Sequence, residues 1–267
     1  MNAAGAPSRP EIVFFDVGDT LMRIHPSWTA VYLEACRRWG LDVEEDALAQ
    51  AFAQALREGL WSEHGPFEAT AEGSYQRVKR FDVRAMQLLG HEDLPDGFYR
   101  ALGRHFRRSA AWHVFPDVVP ALLAVERAGI RRAVISNWVW ALPELLHDME
   151  LAHHFEAIVA SARVGYEKPQ QEIFTHALAL TGVAASRAWH VGDQVVADVE
   201  GATAAGVRPI LIDRGNAYPD VLTDRPDVPV VRDMTGLLAL LRVSAAEPLT
   251  QFDGHVDDSS ASRAAAG

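Results

Sequence analysis

The chain has 267 residues, of which 49% are hydrophobic and 23% are charged, and this suits one large or two small globular domains. Its formal net charge of -11 argues against a nucleic-acid partner and against an anionic membrane surface, since both need a basic face. The single cysteine, Cys36, excludes a disulfide framework and a thiolate metal cluster.

Both ends of the chain are expected to be disordered. Residues 1–10 form a short lead of small and polar residues, and residues 244–267 form a tail whose composition is too small and polar to build a core. The lead lacks the apolar segment of a signal peptide, and no apolar run is long enough to span a bilayer. We therefore expect a cytoplasmic protein with no membrane partner.

Short apolar runs that are typical of buried strands recur between these ends. They lie at residues 12–16, 132–136, 156–161, 188–192 and 208–213, with a weaker sixth run at 228–231. Amphipathic helical segments separate most of them, near residues 117–128, 142–152, 170–181 and 195–205. This alternation predicts an α/β fold, in which a doubly wound parallel sheet carries helices on both faces.

Residues 25–112 interrupt the alternation. Helix-like stretches begin near Ser27, Glu44 and Phe98, with Gly and Pro between them and no convincing strand. An all-helical insertion of this length is expected to form a second domain, a cap over the carboxyl end of the first strand. The predicted α/β core domain then comprises residues 11–24 and 113–243.

Several polar residues stand at the carboxyl ends of the predicted strands, where open α/β sheets bind their ligands. In chain order they are Asp16 after the first strand, Ser136 and Asn137 at the second, Lys168 after the third, and Asp193 and Asp198 after the fourth. Three clustered carboxylates raise one another's pKa unless a cation joins them. A hard divalent ion with oxygen ligands, Mg2+ above all, suits such a site.

The same residues are suited to a phosphate group. Bound Mg2+ keeps several water ligands, which leaves room for a phosphate oxygen. Lys168 is placed to neutralise the remaining negative charge, while Ser136 and the backbone N–H groups of residues 16–20 are placed to bind the other oxygens. We therefore expect a small phosphorylated metabolite as the partner.

Four segments resemble the four motifs of the haloacid dehalogenase-like hydrolase superfamily. They are Asp16 after the first strand, "VISN" at 134–137, "EKP" at 167–169 and "GDQVVADVEGATAAG" at 192–206. The resemblance covers nearly all of residues 11–243, and four motifs in order are far more specific than any one of them. The helical insertion lies where the branch of the superfamily with a cap between its first and second motifs carries that cap.

The resemblance implies a role for each matching residue. Asp16 would be the nucleophile that forms an aspartyl-phosphate, and Ser136 and Lys168 would bind the phosphoryl group, with Asn137 as a further candidate beside them. The metal ligands would be Asp16, the backbone carbonyl of Gly18, and Asp193, with Asp198 ligating or orienting the metal.

One position departs from the pattern of the family's phosphatases, which usually read D-x-D-G-T. The second aspartate of that pattern protonates the leaving group and then activates water, but this chain has Gly18 there and an aspartate one residue later, Asp19. The two offsets point a side chain to different places in a tight turn. Three hypotheses follow: Asp19 reaches the site through a shifted turn, water or a cap residue takes its place, or turnover is slow.

The favoured function is a Mg2+-dependent phosphatase that acts on a small phosphomonoester, with Asp16, Asp19 and Lys168 as catalytic residues. The family's dehalogenases also lack the second aspartate, which makes metal-free hydrolysis of a 2-haloacid an alternative, although Asp193 and Asp198 speak against it. A non-catalytic member that binds a phosphorylated ligand or a protein is the third possibility, because a fold alone does not establish activity.

Two further features are interpreted as structural. Trp138 and Trp140 follow the second motif, near the expected mouth of the site, and aromatic residues at this spacing are more often packing residues. His190 lies inside the fourth predicted strand and is expected to be a core histidine with a satisfied hydrogen bond.

Overall fold

The computed structural model describes residues 9–60, 66–218, 225 and 227–244. The strands are β1 (Ile12–Phe15), β2 (Met22–Ile24), β3 (Trp112–Val114), β4 (Arg131–Ser136), β5 (Ile158–Ala160), β6 (Ala188–Gly192), β7 (Arg208–Ile212) and β8 (Val230–Val231). The helices are α1 (Trp28–Arg38), α2 (Glu45–Arg57), α3 (Ala71–Leu88), α4 (Asp96–Phe106), α5 (Val118–Arg127), α6 (Leu142–Asp148), α7 (Ser161–Val164), α8 (Gln171–Thr181), α9 (Gly201–Ala204) and α10 (Met234–Leu241).

The predicted disordered lead and tail lie outside the described residues, apart from residues 9, 10 and 244. Within the described ranges, no helix combines the length and the apolar character that crossing a bilayer requires.

Six of the described strands form one parallel sheet in the order β5-β4-β1-β6-β7-β8. All four residues of β1 are buried, with Val13 and Phe15 in the apolar cluster on one face of the sheet and Ile12 and Phe14 in the cluster on the other. Burial on both faces explains why β1 is a continuous apolar run. The predicted α/β fold with a doubly wound parallel sheet is confirmed.

The structure differs from the predicted elements in two places. The helical segment expected at 195–205 begins with a π-helical turn, Val195–Glu200, before α9. A two-stranded antiparallel ribbon of β2 and β3, which the sequence analysis missed, pairs Met22 with Val114 and Ile24 with Trp112. Strands of three residues are too short to show a clear alternation of polar and apolar side chains.

Residues 25–111, called here the helical segment, leave and rejoin the sheet domain at this ribbon. Its helices α1–α4 have an apolar cluster of their own, which includes Leu48, Met86 and Phe98. Hydrogen bonds join the segment to loops of the sheet domain: Phe67 N–H donates to the carbonyl of Gly165 at 2.9 Å, Trp140 N–H donates to Ser74 Oγ at 3.0 Å, and Arg77 donates to Glu167. A core separate from that of the sheet is consistent with our proposal that the segment is a cap.

Candidate active site

The topology of the sheet brings three strand ends together. Phe15, the last residue of β1, lies opposite Val134 of β4 and Val191 of β6. Because the three strands are parallel, their carboxyl ends reach the same edge of the sheet, where the strand order changes direction. Asp16 therefore stands between the ends of β4 and β6, and its backbone N–H donates to the carbonyl of Val191 at 2.8 Å.

Lys168 connects the predicted site residues to one another. Its ammonium donates to Oδ1 of Asp16 and to Oδ1 of Asp198, both at 2.6 Å, and to the carbonyl of Ile135 at 3.1 Å. Burial alone would lower the pKa of Lys168, but the charges of Asp16 and Asp198 outweigh it and raise that pKa. The lysine is thus a fixed positive charge that is 3% exposed.

Asp16 is buried and held in one orientation. Its Oδ1 accepts the bond from Lys168 and a second bond from Ser136 Oγ at 2.9 Å. Burial and the charge of Asp198 raise the pKa of Asp16, although Lys168 and Ser136 oppose this rise. The structure therefore brings together the nucleophile and the two phosphate-binding groups that the sequence predicted.

Asn137 contacts Lys168 through its side-chain amide. Its Nδ2 donates to the backbone carbonyl of Lys168 at 2.9 Å, and its Oδ1 accepts from the backbone N–H of Lys168 at 2.7 Å. This reciprocal pair ties the end of β4 to the loop that carries the lysine. These contacts suit Asn137 to position Lys168, and its predicted contact with phosphate stays a prediction.

Asp198 accepts hydrogen bonds at both of its oxygens. Besides the bond from Lys168, Oδ1 lies 2.8 Å from Nε2 of His190, and Oδ2 accepts from the backbone N–H of Gln194 at 2.9 Å. Burial alone would raise the pKa of Asp198, but the charge of Lys168 and the bond from His190 lower it. An anion so fully engaged is better suited to orient the site than to offer a free oxygen.

His190 has a partner that the sequence analysis did not foresee. Burial lowers the pKa of His190, which is 0% exposed, so a neutral imidazole that donates through Nε2 suits its bond to Asp198. The signal in the sequence was a histidine inside a buried strand, three residues before Asp193. The expected core histidine with a satisfied hydrogen bond agrees with the structure, but its partner Asp198 lies eight residues further along, within the π-helical turn.

Three carboxylates form a group that could hold a metal ion. Oxygen atoms of Asp16, Asp193 and Asp198 all lie within 4.8 Å of one another. Oδ1 of Asp193 is buried and has no hydrogen-bond partner among the described residues. Burial and the charges of Asp16 and Asp198 raise the pKa of Asp193. A hard divalent cation fits this set of oxygen donors, because it supplies both the absent partner and the counter-charge.

Asp19 stands in the turn after β1, at the edge of the carboxylate group of Asp16, Asp193 and Asp198. The side chain of Asp19 is exposed, and its backbone has a φ of 50°. Burial of part of the group raises the pKa of Asp19, against an opposing effect of Arg23, and its charge contributes to the raised pKa of Asp193. Asp19 therefore lies near the carboxylate group at the outer side of the site.

The position of Gly18 is bordered by an aromatic ring. A β-carbon built on Gly18 would lie 3.4 Å from Cζ3 of Trp138, which is ordinary van der Waals contact. The indole of Trp138 thus faces the position where the family's phosphatases carry their second aspartate.

Comparison with known proteins agrees with this geometry. The model of the family described as haloacid dehalogenase-like hydrolase matches residues 10–206, which contain all of the candidate site residues. The chain belongs to the haloacid dehalogenase-like hydrolases.

Relatives of this hydrolase include a protein whose name gives no substrate and a phosphatase whose name gives one. The chain is 31% identical to the haloacid dehalogenase-like hydrolase domain-containing protein 3 of Homo sapiens, over 80% of this chain and 86% of the relative. It is also 31% identical to the glyceraldehyde 3-phosphate phosphatase of Methanothermobacter thermautotrophicus, over 86% of this chain and 98% of the relative.

Solved structures with the same fold include a phosphatase and a dehalogenase. A HAD phosphatase from Thermococcus onnurineus matches with a TM-score of 0.61 and 21% identity, over 88% of this chain and 100% of its own. A dehalogenase matches with a TM-score of 0.66 and 20% identity, over 86% of this chain and 96% of its own. This likeness shows the fold and does not separate the two chemistries.

Proposed function

We propose that the chain is a Mg2+-dependent phosphatase that hydrolyses a small phosphomonoester through an aspartyl-phosphate on Asp16. The observation that carries the proposal is the group of three carboxylates beside Lys168. The ammonium of Lys168 donates hydrogen bonds to both Asp16 and Asp198. Oδ1 of Asp193 is buried and has no partner among the described residues. This excess of negative charge favours a reaction that uses a bound cation.

The proposed reaction begins at Asp16. Its carboxylate attacks phosphorus in line with the ester oxygen, and the bond between phosphorus and that oxygen breaks. Lys168 and Ser136, which already hold Asp16, also face the oxygens of a phosphoryl group bound to it. Water then hydrolyses the aspartyl-phosphate, releasing inorganic phosphate and restoring the carboxylate.

A bound Mg2+ would be held by Asp16, the carbonyl of Gly18 and Asp193, with Asp198 orienting the site, and it would supply positive charge against the charge that builds on the phosphoryl oxygens. Asp198 also keeps Lys168 in place through their 2.6 Å contact. Asn137 fixes the backbone of the same lysine from the opposite side. The lysine thus enters the reaction with its orientation already set.

Asp19 is our proposed acid-base residue. It is exposed, close enough to affect the pKa of Asp193, and has a raised pKa of its own. General acid-base catalysis is typically worth ~10² to 10⁴-fold in rate. We expect Asp19→Asn to lower kcat within this range and to remove one limb of the pH-rate profile. An unchanged profile would mean that water protonates the leaving group.

Hydrolysis of a 2-haloacid is the second candidate function, and the solved dehalogenase shows that the fold accommodates dehalogenation. The fold likeness alone favours neither reaction. The carboxylate group of Asp16, Asp193 and Asp198 favours the phosphatase, because attack on carbon by Asp16 gives no role to Asp193, whose Oδ1 has no hydrogen-bond partner among the described residues.

The deciding experiment compares both reactions in one preparation. Phosphate release from p-nitrophenyl phosphate, glyceraldehyde 3-phosphate and sugar phosphates is measured with Mg2+ and with EDTA, and chloride release is measured from 2-chloropropionate. Asp16→Asn serves as the blank, after circular dichroism has shown that it is folded.

We expect Mg2+-dependent phosphate release that Asp16→Asn abolishes. Chloride release that persists in EDTA would instead establish the dehalogenase. If wild-type protein binds Mg2+ and releases neither product, the chain is a ligand-binding member of the family.

A further inference from the structure

Trp138 borders the candidate site on the side of the turn after β1. Ser136, two residues earlier, donates to Asp16, and Gly18 lies two residues after Asp16. The indole of Trp138 reaches Gly18, where Cζ3 lies 3.4 Å from the place of a β-carbon. Trp138 is partly buried, and it also lines a pocket on the side of helix α3.

Trp138 is held by contacts of its backbone and of its ring. The N–H of Trp138 donates to Ser161 Oγ at 3.1 Å, and its carbonyl accepts from the N–H of Ala162 at 3.2 Å. The ring packs on Trp112 with 4.8 Å between ring centroids, and Trp112 contacts Trp28 at 5.9 Å. A ring fixed in this way loses little conformational entropy when a ligand packs on it.

A pocket open to solvent lies between Trp138 and helix α3. Its apolar lining is formed by Leu60, Val78 and Val139 together with Trp138. Arg77 also lines the pocket, but its guanidinium forms an ion pair with Glu167, so the two charges compensate each other. An apolar wall without uncompensated charge favours an uncharged group over a charged one.

We propose that Trp138 selects the leaving group, and that the substrate is a phosphomonoester of an aromatic alcohol whose ring stacks on this indole. The inference rests on the proposed phosphatase activity. Aromatic rings gain from offset or edge contacts beyond what the burial of apolar area gives, and Trp138, which lines this pocket, offers such a contact to an aromatic ring bound there. Trp138 is thus a specificity-determining residue.

The reaction of such an ester is balanced as follows. The carboxylate of Asp16 forms a bond to phosphorus, and the aryl oxygen leaves with the electron pair of the broken P–O bond and takes a proton from Asp19. Asp19 then accepts a proton from the water that attacks the phosphorus of the aspartyl-phosphate, the P–O bond to Asp16 breaks, and inorganic phosphate and the free carboxylate of Asp16 are formed.

Binding of phosphonates tests the aromatic contact without the chemical step, because a P–C bond is not hydrolysed in this reaction. Dissociation constants of methylphosphonate, cyclohexylphosphonate and phenylphosphonate are measured by calorimetry with Mg2+ present. The variants are Trp138→Leu, Trp138→Phe and, as the matched control, Trp140→Leu. Trp140 lies in the same loop, and the described contact of its ring is with Arg163, at 5.0 Å.

For wild type we expect phenylphosphonate to bind about two- to tenfold tighter than cyclohexylphosphonate, and both to bind tighter than methylphosphonate. Trp138→Leu should remove the preference for phenyl over cyclohexyl. Trp138→Phe should retain it in part, and Trp140→Leu should leave it unchanged. Trp138→Phe also covers the case in which the leucine variant does not fold.

Equal binding of the three phosphonates by wild type would overturn the inference, as would an equal loss of the preference in Trp138→Leu and Trp140→Leu. Hydrolysis separates this failure from a failure of the proposed function. If glyceraldehyde 3-phosphate and phenyl phosphate are hydrolysed equally well, both dependent on Asp16, the phosphatase stands and the aryl preference is wrong. If no ester is hydrolysed and no phosphonate binds, both are wrong.

Discussion

Gly192 and Asp198 approach each other so closely that no side chain fits between them. A β-carbon on Gly192 would lie 2.1 Å from Cγ of Asp198 and 2.3 Å from its Oδ2. Gly192 ends β6, and Asp198 lies in the π-helical turn that follows. The glycine therefore allows the wide turn to bring its aspartate back onto the strand, beside Lys168.

From this contact we predict that Gly192→Ala displaces Asp198. The overpacking should destabilise the protein by about 1–3 kcal/mol, and misplacement of Lys168 should lower activity by roughly 100-fold. Urea unfolding and phosphate release measure the two effects. Gly103→Ala is the matched control, since a β-carbon there meets nothing within 4 Å and alanine favours helix α4 by up to ~1 kcal/mol. Full activity in Gly192→Ala would contradict the assigned role of Asp198.

Asn137→Ala tests whether the reciprocal hydrogen bonds position Lys168. Loss of two partly buried hydrogen bonds should destabilise the protein by about 1–3 kcal/mol. If Asn137 acts through the lysine, the substitution should weaken binding of inorganic phosphate in wild type and have little effect in a Lys168→Met background. Calorimetric titration of phosphate with Mg2+ measures this coupling. Additive losses in the double variant would instead indicate that Asn137 contacts phosphate itself.

Asp193→Asn is expected to be at least as stable as wild type in EDTA and less stable than wild type in Mg2+. In EDTA the variant should be at least as stable as wild type, because it removes a carboxylate whose pKa is raised by burial and by Asp16 and Asp198. With Mg2+ at about 100 times its dissociation constant, wild type should gain ~2.7 kcal/mol and the variant much less. Thermal unfolding with and without Mg2+ checks both statements. Glu200→Gln, an exposed acid at the end of the π-helical turn, serves as the control and should behave as wild type.

The parallel sheet could be predicted from the sequence because its strands are buried on both faces and separated by amphipathic helices. The meeting of Asp16, Ser136 and Lys168 followed from strand order, since residues at the ends of neighbouring parallel strands must be close. The bond between His190 and Asp198 could not be predicted in the same way, because it depends on a π-helical turn that local sequence preferences do not reveal. The double contact of Asn137 with the backbone of Lys168 likewise depends on the path of a loop.

The ribbon of β2 and β3 was missed for a different reason. Its pairing is antiparallel between residues about 90 positions apart, and neither strand has more than three residues. Three separate parts of the chain form the row of aromatic contacts beside this ribbon, which runs from Trp28 through Trp112 to Trp138. Composition and periodicity describe single elements, so they give no information about such a cluster.

The helical segment contains a buried carboxyl whose titration should be visible in stability. Asp82 is 3% exposed and accepts a hydrogen bond from the hydroxyl of Tyr32 at 2.5 Å. Burial raises the pKa of Asp82 from 3.8 to about 7, although the bond from Tyr32 opposes the rise. Between pH 3.8 and pH 7, Asp82 holds a proton in the folded protein that it has released in the unfolded chain. The free energy of unfolding therefore falls as the pH rises through this range and is constant above it.

We predict that wild type loses about 2 kcal/mol more stability than Asp82→Asn between pH 5.5 and pH 8, at 1.36 kcal/mol for each pH unit below the folded pKa. The asparagine keeps an acceptor for Tyr32 but carries no charge, so it should stabilise the protein at pH 8. Urea unfolding at the two pH values measures the difference. Asp96→Asn is the control, because hydrogen bonds from Lys79, Tyr75 and Arg100 lower the pKa of Asp96, and its contribution is lost only below pH 3.8. A parallel pH dependence in wild type and Asp82→Asn would show that Asp82 does not titrate between pH 5.5 and pH 8.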